Sequence, residues 1–416
     1  MRVLLVNTTE KGGGAAIATN RLKEALINNG IKAKMLVRKK ESQSLSVVGI
    51  DSWKQNYSFL KERFNIWTAN GFSREHLFDV DLGCNGSDIT ELREFQEADI
   101  IHLNWINQGL LSLRDIKKIL NSGKPVVWTM HDMWQFTGIC HYTGDCTEYK
   151  TGCRNCPMLT KPGNKDLSCK IFNRKARLLK DKKIHFVAVS QWLADKAKES
   201  KLLQFQPVSV IPNALSVNHF QLKDRENSRR QFSLPEKIII VFGAVKMDET
   251  RKGLKYLIEA LNYMVANGMF KREDLHLALF GGVKNPEILQ EIPVSYTDVG
   301  FIKDDEALSA LYAAANVTVI PSLYETFGQT VIEAQACGCT PVTFNNSGQT
   351  DIVQHLVNGY LAEYLNVEDL AKGIQWAIQS KLNPNDLRSN VIKNFSESVV
   401  ANKYIELYNS LARTEA

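Results

Sequence analysis

No apolar run in this 416-residue sequence approaches the ~18 residues that a membrane-spanning helix needs. The opening stretch, MRVLLVNTT, carries one basic residue and a four-residue apolar run, too short for the core of a secretory signal. It reads as a first buried strand, and the protein is expected to be cytoplasmic. There is no internal repeat and no low-complexity segment. The glycines after the first strand lack the full spacing of a dinucleotide fingerprint, so no nicotinamide site is expected. The basic part of the chain carries no recognisable nucleic-acid motif, so nucleic acid is not expected as a partner.

What is present is ordinary for a globular protein: 44% apolar and 23% charged residues. The length suits two domains of roughly 150–200 residues, each with its own core. Charge is placed unevenly. Residues 1–213 hold 32 Lys and Arg against 21 Asp and Glu, a balance of +11, and the remainder 19 against 24, a balance of −5. Basic residues are densest from Lys161 to Lys201, including Lys180, Lys182 and Lys183. Such a half meets something anionic, a bilayer surface or a lipid diphosphate, unless it is only a solvated helix face.

Apolar strands alternate with helical periodicity along the chain. RVLLVN (2–7), AKMLVR (33–38), DIIHLNW (99–105) and PVVWTMHD (125–132) read as strands, and LLSLRDIKKILNSGK as a helix between the last two. That alternation predicts an α/β fold with doubly wound parallel sheets, in which ligands bind beyond the carboxyl ends of the strands. Gly12, Gly13 and Gly14 follow the first strand and permit a tight turn with close backbone approach. His131 closes the 125–132 strand, where a structural role competes with a functional one. Residues 50–95 show no clear periodicity. The polar segment KDRENSRRQFSLPEK (223–237) reads as a linker, and IIIVFGAV (238–245) opens a second domain as a central parallel strand.

Four of the eight cysteines fall within seventeen residues, GICHYTGDCTEYKTGCRNCP. Reducing surroundings disfavour disulfides, and thiolates at C-x-x-C spacing can occupy corners of a zinc tetrahedron. A structural Zn²⁺ on Cys140, Cys146, Cys153 and Cys156 is therefore predicted, with His141 as a substitute ligand. A buried reduced cluster and a redox pair are the alternatives. Four sulfur ligands leave no open position, so this metal has no catalytic part.

The densest chemistry lies in residues 317–342, VTVIPSLYETFGQTVIEAQACGCTPV. A β-branched run breaks at Pro321, passes through a polar loop with Glu325, and enters a helix carrying Glu333. The helix is expected to start near Phe327 or Gly328, where unpaired first-turn amides and the helix dipole favour a phosphate. The two carboxylates would repel that phosphate but could grip hydroxyls beside it. In the second domain Lys252, next to Gly253, could neutralise a diphosphate.

YETFGQTVIEAQACGCTPV closely resembles the signature of glycosyltransferase family 4, retaining nucleotide-sugar transferases of the GT-B fold. The resemblance implies two Rossmann-like domains facing a cleft: residues 1–215 with a Cys-rich insertion at about 138–160, a linker at 216–237, residues 238–395, and a helix at 396–416 crossing back to the first domain. It implies that Glu325 contacts the donor sugar and Glu333 the ribose, while the backbone of Phe327, Gly328, Gln329 and Thr330 meets the diphosphate. Gly13 and Gly14 match the family's first-turn glycine pair, His131 its histidine near sugar and acceptor, and Lys252 its phosphate-binding lysine. The family's arginine position falls on Ala244, leaving Arg251 or Lys246 to replace it, and the usual residues after Ile-Pro-Asn are replaced by Ala214 and Ser216. The implied activity moves a sugar from a nucleoside-diphosphate sugar to a glycan or lipid-linked hydroxyl, without a catalytic metal. The implied setting is surface polysaccharide assembly, with peripheral association at an anionic membrane. A sugar-nucleotide 2-epimerase of the same fold and a non-catalytic scaffold built on the cysteines are the rival readings.

Overall fold

The computed structural model describes residues 1–50, 53–180, 182 and 184–414; Lys183 of the basic stretch lies outside the described residues. The chain forms two compact units, one of Met1–Ala214 with the segment from Val400 onward, the other Leu215–Val399. No described helix is long and apolar enough to cross a membrane.

In the first unit the strands are β1 (Arg2–Val6), β2 (Lys32–Val37), β3 (Val47–Gly49), β4 (Ile100–Leu103), β5 (Val126–Met130), β6 (His185–Ala188) and β7 (Val208–Val210). They pair in parallel in the order β3-β2-β1-β4-β5-β6-β7. Val3 to Val6 are at most 2% exposed, as continuous apolar strands require when helices cover both faces. The connecting helices are α1 (Gly14–Asn28), α2 (Trp53–Ala69), α3 (Arg93–Glu97), α4 (Leu113–Leu120), α5 (Leu167–Leu179) and α6 (Gln191–Glu199).

The second unit starts with α7 (Arg225–Gln231). Its strands are β8 (Ile238–Lys246), β9 (Leu275–Gly282), β10 (Ser295–Asp298), β11 (Val317–Ile320), β12 (Thr340–Phe344) and β13 (Tyr360–Ala362). These are again parallel, ordered β10-β9-β8-β11-β12-β13. Its remaining helices are α8 (Leu254–Ala266), α9 (Asp305–Ala314), α10 (Gln329–Ala336), α11 (Val367–Gln379) and α12 (Pro384–Phe395); the last helix, α13 (Glu397–Thr414), leads out of it. Tyr404 and Tyr408 of α13 join the core of the first unit with Val3, Leu5, Leu22 and Val127. Their hydroxyls bond Thr129 Oγ1 (2.9 Å) and His102 Nδ1 (2.7 Å).

Two stretches differ from their sequence reading. The polar segment 223–237 contains α7, capped by Asp224, whose side chain accepts from Asn227 N–H. Arg229 donates to the Ala314 carbonyl at the end of α9 (3.1 Å) and to Asn316 Oδ1 (2.8 Å), so charged side chains tie this helix to the unit as C-terminal caps do. The aperiodic region 50–95 holds α2. Its pattern is partly inverted: Glu62 and Arg63 are 0% and 6% exposed beside the buried Ile66, while Leu60 and Phe64 are 63% and 57% exposed. Arg63 pairs with Asp81 at 2.6 Å, and Glu62 accepts the N–H groups of Leu82, Cys84 and Asn85.

Candidate functional site

In each sheet the strand order reverses once, between β1 and β4 and between β8 and β11. Such a reversal parts the two following loops and opens a crevice for ligand at the carboxyl edge. In the second unit those loops carry Lys252 and Glu325. The loop after β8 ends in Gly253 (φ 75°), where a Cβ would lie 1.9 Å from the Pro321 carbonyl oxygen. Only glycine allows that approach, which seats Lys252 against the end of β11. Leu323 N–H donates to the Arg251 carbonyl (2.8 Å) and Arg251 Nη1 to the Tyr324 carbonyl (3.0 Å). Lys252 Nζ is hydrogen-bonded to Glu325 Oε1, and Arg251 Nη1 lies 3.8 Å from the same oxygen. Burial pushes the Glu325 carboxyl up, but Lys252, Arg251 and a hydrogen bond from Ser322 outweigh it and hold it below the ordinary range.

A second turn clamps Glu325 from the other side. Its N–H donates to Ser347 Oγ (3.0 Å), and its carbonyl accepts from Gly348 N–H (2.7 Å). A Cβ on Gly348 would meet the Thr326 carbonyl at 2.2 Å. Nothing in the sequence points to Ser347. Helix α10 begins at Gln329, with Gly328 as N-cap at φ 111° and ψ 59°, a conformation that L side chains resist. Phe327 is buried against Phe395, ring centroids 5.7 Å apart. Thr330 lies in the first turn. Glu333 is 5% exposed and accepts a hydrogen bond from Tyr312 Oη at 3.4 Å. β8 continues through Ala244 to Lys246, with a bulge between them. Of the cations considered for the arginine's place, Arg251 is the one bonded beside Glu325, and Lys246 is exposed.

In the first unit the loops at the reversal are tied together: Thr8 N–H donates to the Trp105 carbonyl (2.8 Å) and Trp105 N–H to Asn7 Oδ1 (3.0 Å). Gly13 (φ 86°) caps α1, with no atom within 4 Å of where its Cβ would stand, and Gly14 is the first helical residue. His131 follows β5; its Nε2 bonds Asn104 Oδ1 at 3.0 Å. It borders a cavity of about 10 Å³ with Asn104, Thr129, Asn213 and Tyr404. Burial pushes its pKa down to about 4, with Asp132 opposing, so the imidazole is neutral at pH 7.

His141 is engaged elsewhere than with the cysteines. Its Nδ1 lies 2.7 Å from Asp132 Oδ2, which also accepts from Trp105 Nε1 at 2.7 Å. Burial pushes the Asp132 carboxyl up, and His141, Trp134 N–H and Trp105 together bring it below its ordinary value. No sequence signal joined these residues. Cys140, Cys153 and Cys156 are buried and Cys146 half-buried, all as free thiols. Among the described residues no group of three or more His, Cys, Asp or Glu is arranged to hold a metal ion. Burial pushes the Cys153 and Cys156 thiols up to about 12 and about 11.

Two doubly wound parallel-sheet units, the second carrying cations and a helix N-terminus at its strand reversal, define a two-domain α/β class with an anion-binding crevice. A family model described as Glycosyltransferase Family 4 matches residues 12–219, half of the chain, and one described as Glycosyl transferases group 1 matches residues 224–396. The chain belongs to glycosyltransferase family 4. An uncharacterized glycosyltransferase of Methanocaldococcus jannaschii is 27% identical over 218 residues, 48% of this chain and 53% of that protein. The chain spans about half the length of the curated relatives it matches. Among solved structures, a sucrose-phosphate synthase from Thermosynechococcus elongatus aligns over 99% of both chains, with TM-score 0.69 and 20% identity. HepE of Anabaena, in complex with UDP and glucose, aligns over 99% of this chain and 100% of its own, with TM-score 0.66 and 16% identity. These likenesses establish the GT-B fold.

Proposed function

We propose that this protein moves a sugar from a nucleoside-diphosphate sugar to a hydroxyl of a glycan or lipid-linked acceptor, with retention of anomeric configuration. The observation that carries this reading is the meeting of Lys252, Arg251 and Glu325 at the β8–β11 reversal, beside the start of α10. The ammonium of Lys252 has three donors, one of them used on Glu325, and offers the others to a diphosphate. The amides of Phe327, Gly328, Gln329 and Thr330 add the positive end of α10. Together they stabilise charge on the leaving diphosphate as the glycosidic bond breaks. Glu325 orients the sugar, Glu333 binds the ribose, and the neutral imidazole of His131 and the Gly13–Gly14 turn serve sugar and phosphate recognition. HepE was solved with UDP and glucose, which supports a uridine diphosphate sugar as the first donor to try. The basic residues of the first unit favour an anionic acceptor at a membrane surface in surface polysaccharide assembly.

The test is a panel of sugar nucleotides incubated with the protein alone. A transferase releases nucleoside diphosphate slowly from one donor, and that donor raises the melting temperature by mass action. Reversible conversion of the donor to its 2-epimer would support the rival enzyme, and no binding of any sugar nucleotide would sink the proposal.

A further inference from the structure

Away from the donor site, Cys140, Cys146, Cys153 and Cys156 line a single cavity of about 10 Å³ with Ile139 and Thr143, room for about one water-sized particle. The backbone is built to bring them there. Gly152, Cys153 and Asn155 take φ values of 147°, 35° and 46°, folding the C-x-x-C turn back on itself. Gly138 N–H donates to Cys153 Sγ at 3.1 Å, and a Cβ at Gly138 would stand 2.6 Å from the Ser168 carbonyl oxygen. That N–H···S bond favours an electron-rich sulfur. Lys175, 3% exposed, donates from its Nζ to the Trp134 and Thr137 carbonyls beside this cluster. Cys84 and Cys169 take no part in the cavity lining.

We propose that these four sulfurs bind one structural Zn²⁺. As the side chains stand they do not form a ligand group, but all four line the one cavity, and binding draws their sulfurs together around the ion. Soft sulfur donors in a set of four select zinc in tetrahedral geometry. Binding converts four thiols and Zn²⁺ into a tetrathiolate complex and releases four protons to solvent. The ion's task follows from its neighbour: Cys140 precedes His141, whose Nδ1 meets Asp132 just past β5. Zinc fixes the loop that delivers His141 there.

Full-length protein produced without added zinc is expected to carry about one zinc ion per chain by elemental analysis. Exchange for Co²⁺ is expected to give the intense visible absorption of tetrahedral thiolate coordination, and chelation to lower the melting temperature. Cys146→Ser, at the half-buried position, is expected to lose most of the metal, and Cys84→Ser to keep it. Wild-type protein free of zinc, with only weak octahedral absorption from added Co²⁺, overturns the proposal. That wild-type measurement decides even where a variant fails to fold.

Discussion

Lys252 and Glu325 are 73 residues apart in the chain and share a hydrogen-bonded ion pair at the carboxyl edge of the second sheet. The side chains remain 21% and 17% exposed. In a pair this largely withdrawn from water the cost of desolvation offsets much of the attraction, so it adds little to stability. Its value is positional: the carboxylate holds a cation where a diphosphate is proposed to bind, and the cation keeps the carboxylate ionised.

Removing either partner is expected to damage catalysis far more than folding. Lys252→Ala and Glu325→Ala are each expected to lower turnover at least ~100-fold, about 2.7 kcal/mol of transition-state stabilisation. Single-turnover assays with the true donor and acceptor check this. Near wild-type turnover in both variants would refute the assigned roles.

The two glycine turns should respond differently to alanine. At Gly253 the added Cβ meets the Pro321 carbonyl at 1.9 Å, whereas at Gly13 nothing lies within 4 Å. Both positions have positive φ, costing about 1 kcal/mol for a Cβ. Gly253→Ala is expected to add the clash and displace Lys252, so donor binding is lost. Gly13→Ala is expected to cost folding only the backbone term, its Cβ standing in the open space where the donor phosphate is proposed to approach. Chemical denaturation of the two variants gives the comparison, and equal losses of stability would contradict the close-approach argument.

Stability is expected to fall as acid is added below about pH 6.5. Burial, with a smaller repulsion from His131, pushes His102 down to about 3, and burial pushes His131 down to about 4. The unfolded chain takes up both protons from about pH 6.5 downward, but the native chain does so only near those lower values. The stability these groups contribute is therefore complete above pH 6.5 and lost as pH falls toward 4. Glu62, pushed up to about 7 by burial and by Asp81, works the other way between 4.5 and 7, because the folded state binds its proton first. Two histidines against one glutamate leave a net loss of stability as the pH falls. Urea denaturation between pH 7 and 5 reads the slope, which His102→Gln is expected to flatten. A wild-type slope of the opposite sign would show that Glu62 dominates.

Helix α2 offers a test of its inverted pattern. Arg63→Met strands the buried carboxylate of Asp81, 1% exposed, and is expected to cost about 3–5 kcal/mol. Leu60→Ser and Phe64→Ser alter exposed positions and should stay within about 0.5 kcal/mol. Chemical denaturation of the three variants settles which face is inside; a larger loss from the apolar pair would reverse the assignment.

Strands were legible wherever burial on both faces demands a continuous apolar run, as in Ile238 to Phe242 or Val317 to Ile320. The start of α10 was legible too, because glycine at position 328 and the break at Pro321 are local requirements of backbone geometry. Helix α2 was hidden because its buried face holds Glu62 and Arg63, which fit a core only after Asp81 and the Leu82–Asn85 amides arrive from elsewhere in the chain. Helix α7 was hidden for a similar reason, its arginine needing the end of α9. At the site, residue types raised Lys252, Glu325 and His131 as candidates, and only the family resemblance gave them their expected roles. Their partners Ser347, Asn104 and Tyr324, and the pairing of Asp132 with His141, came only from tertiary structure. A hydrogen bond across dozens of residues depends on which loops the strand order brings together, and no local pattern in a chain records that.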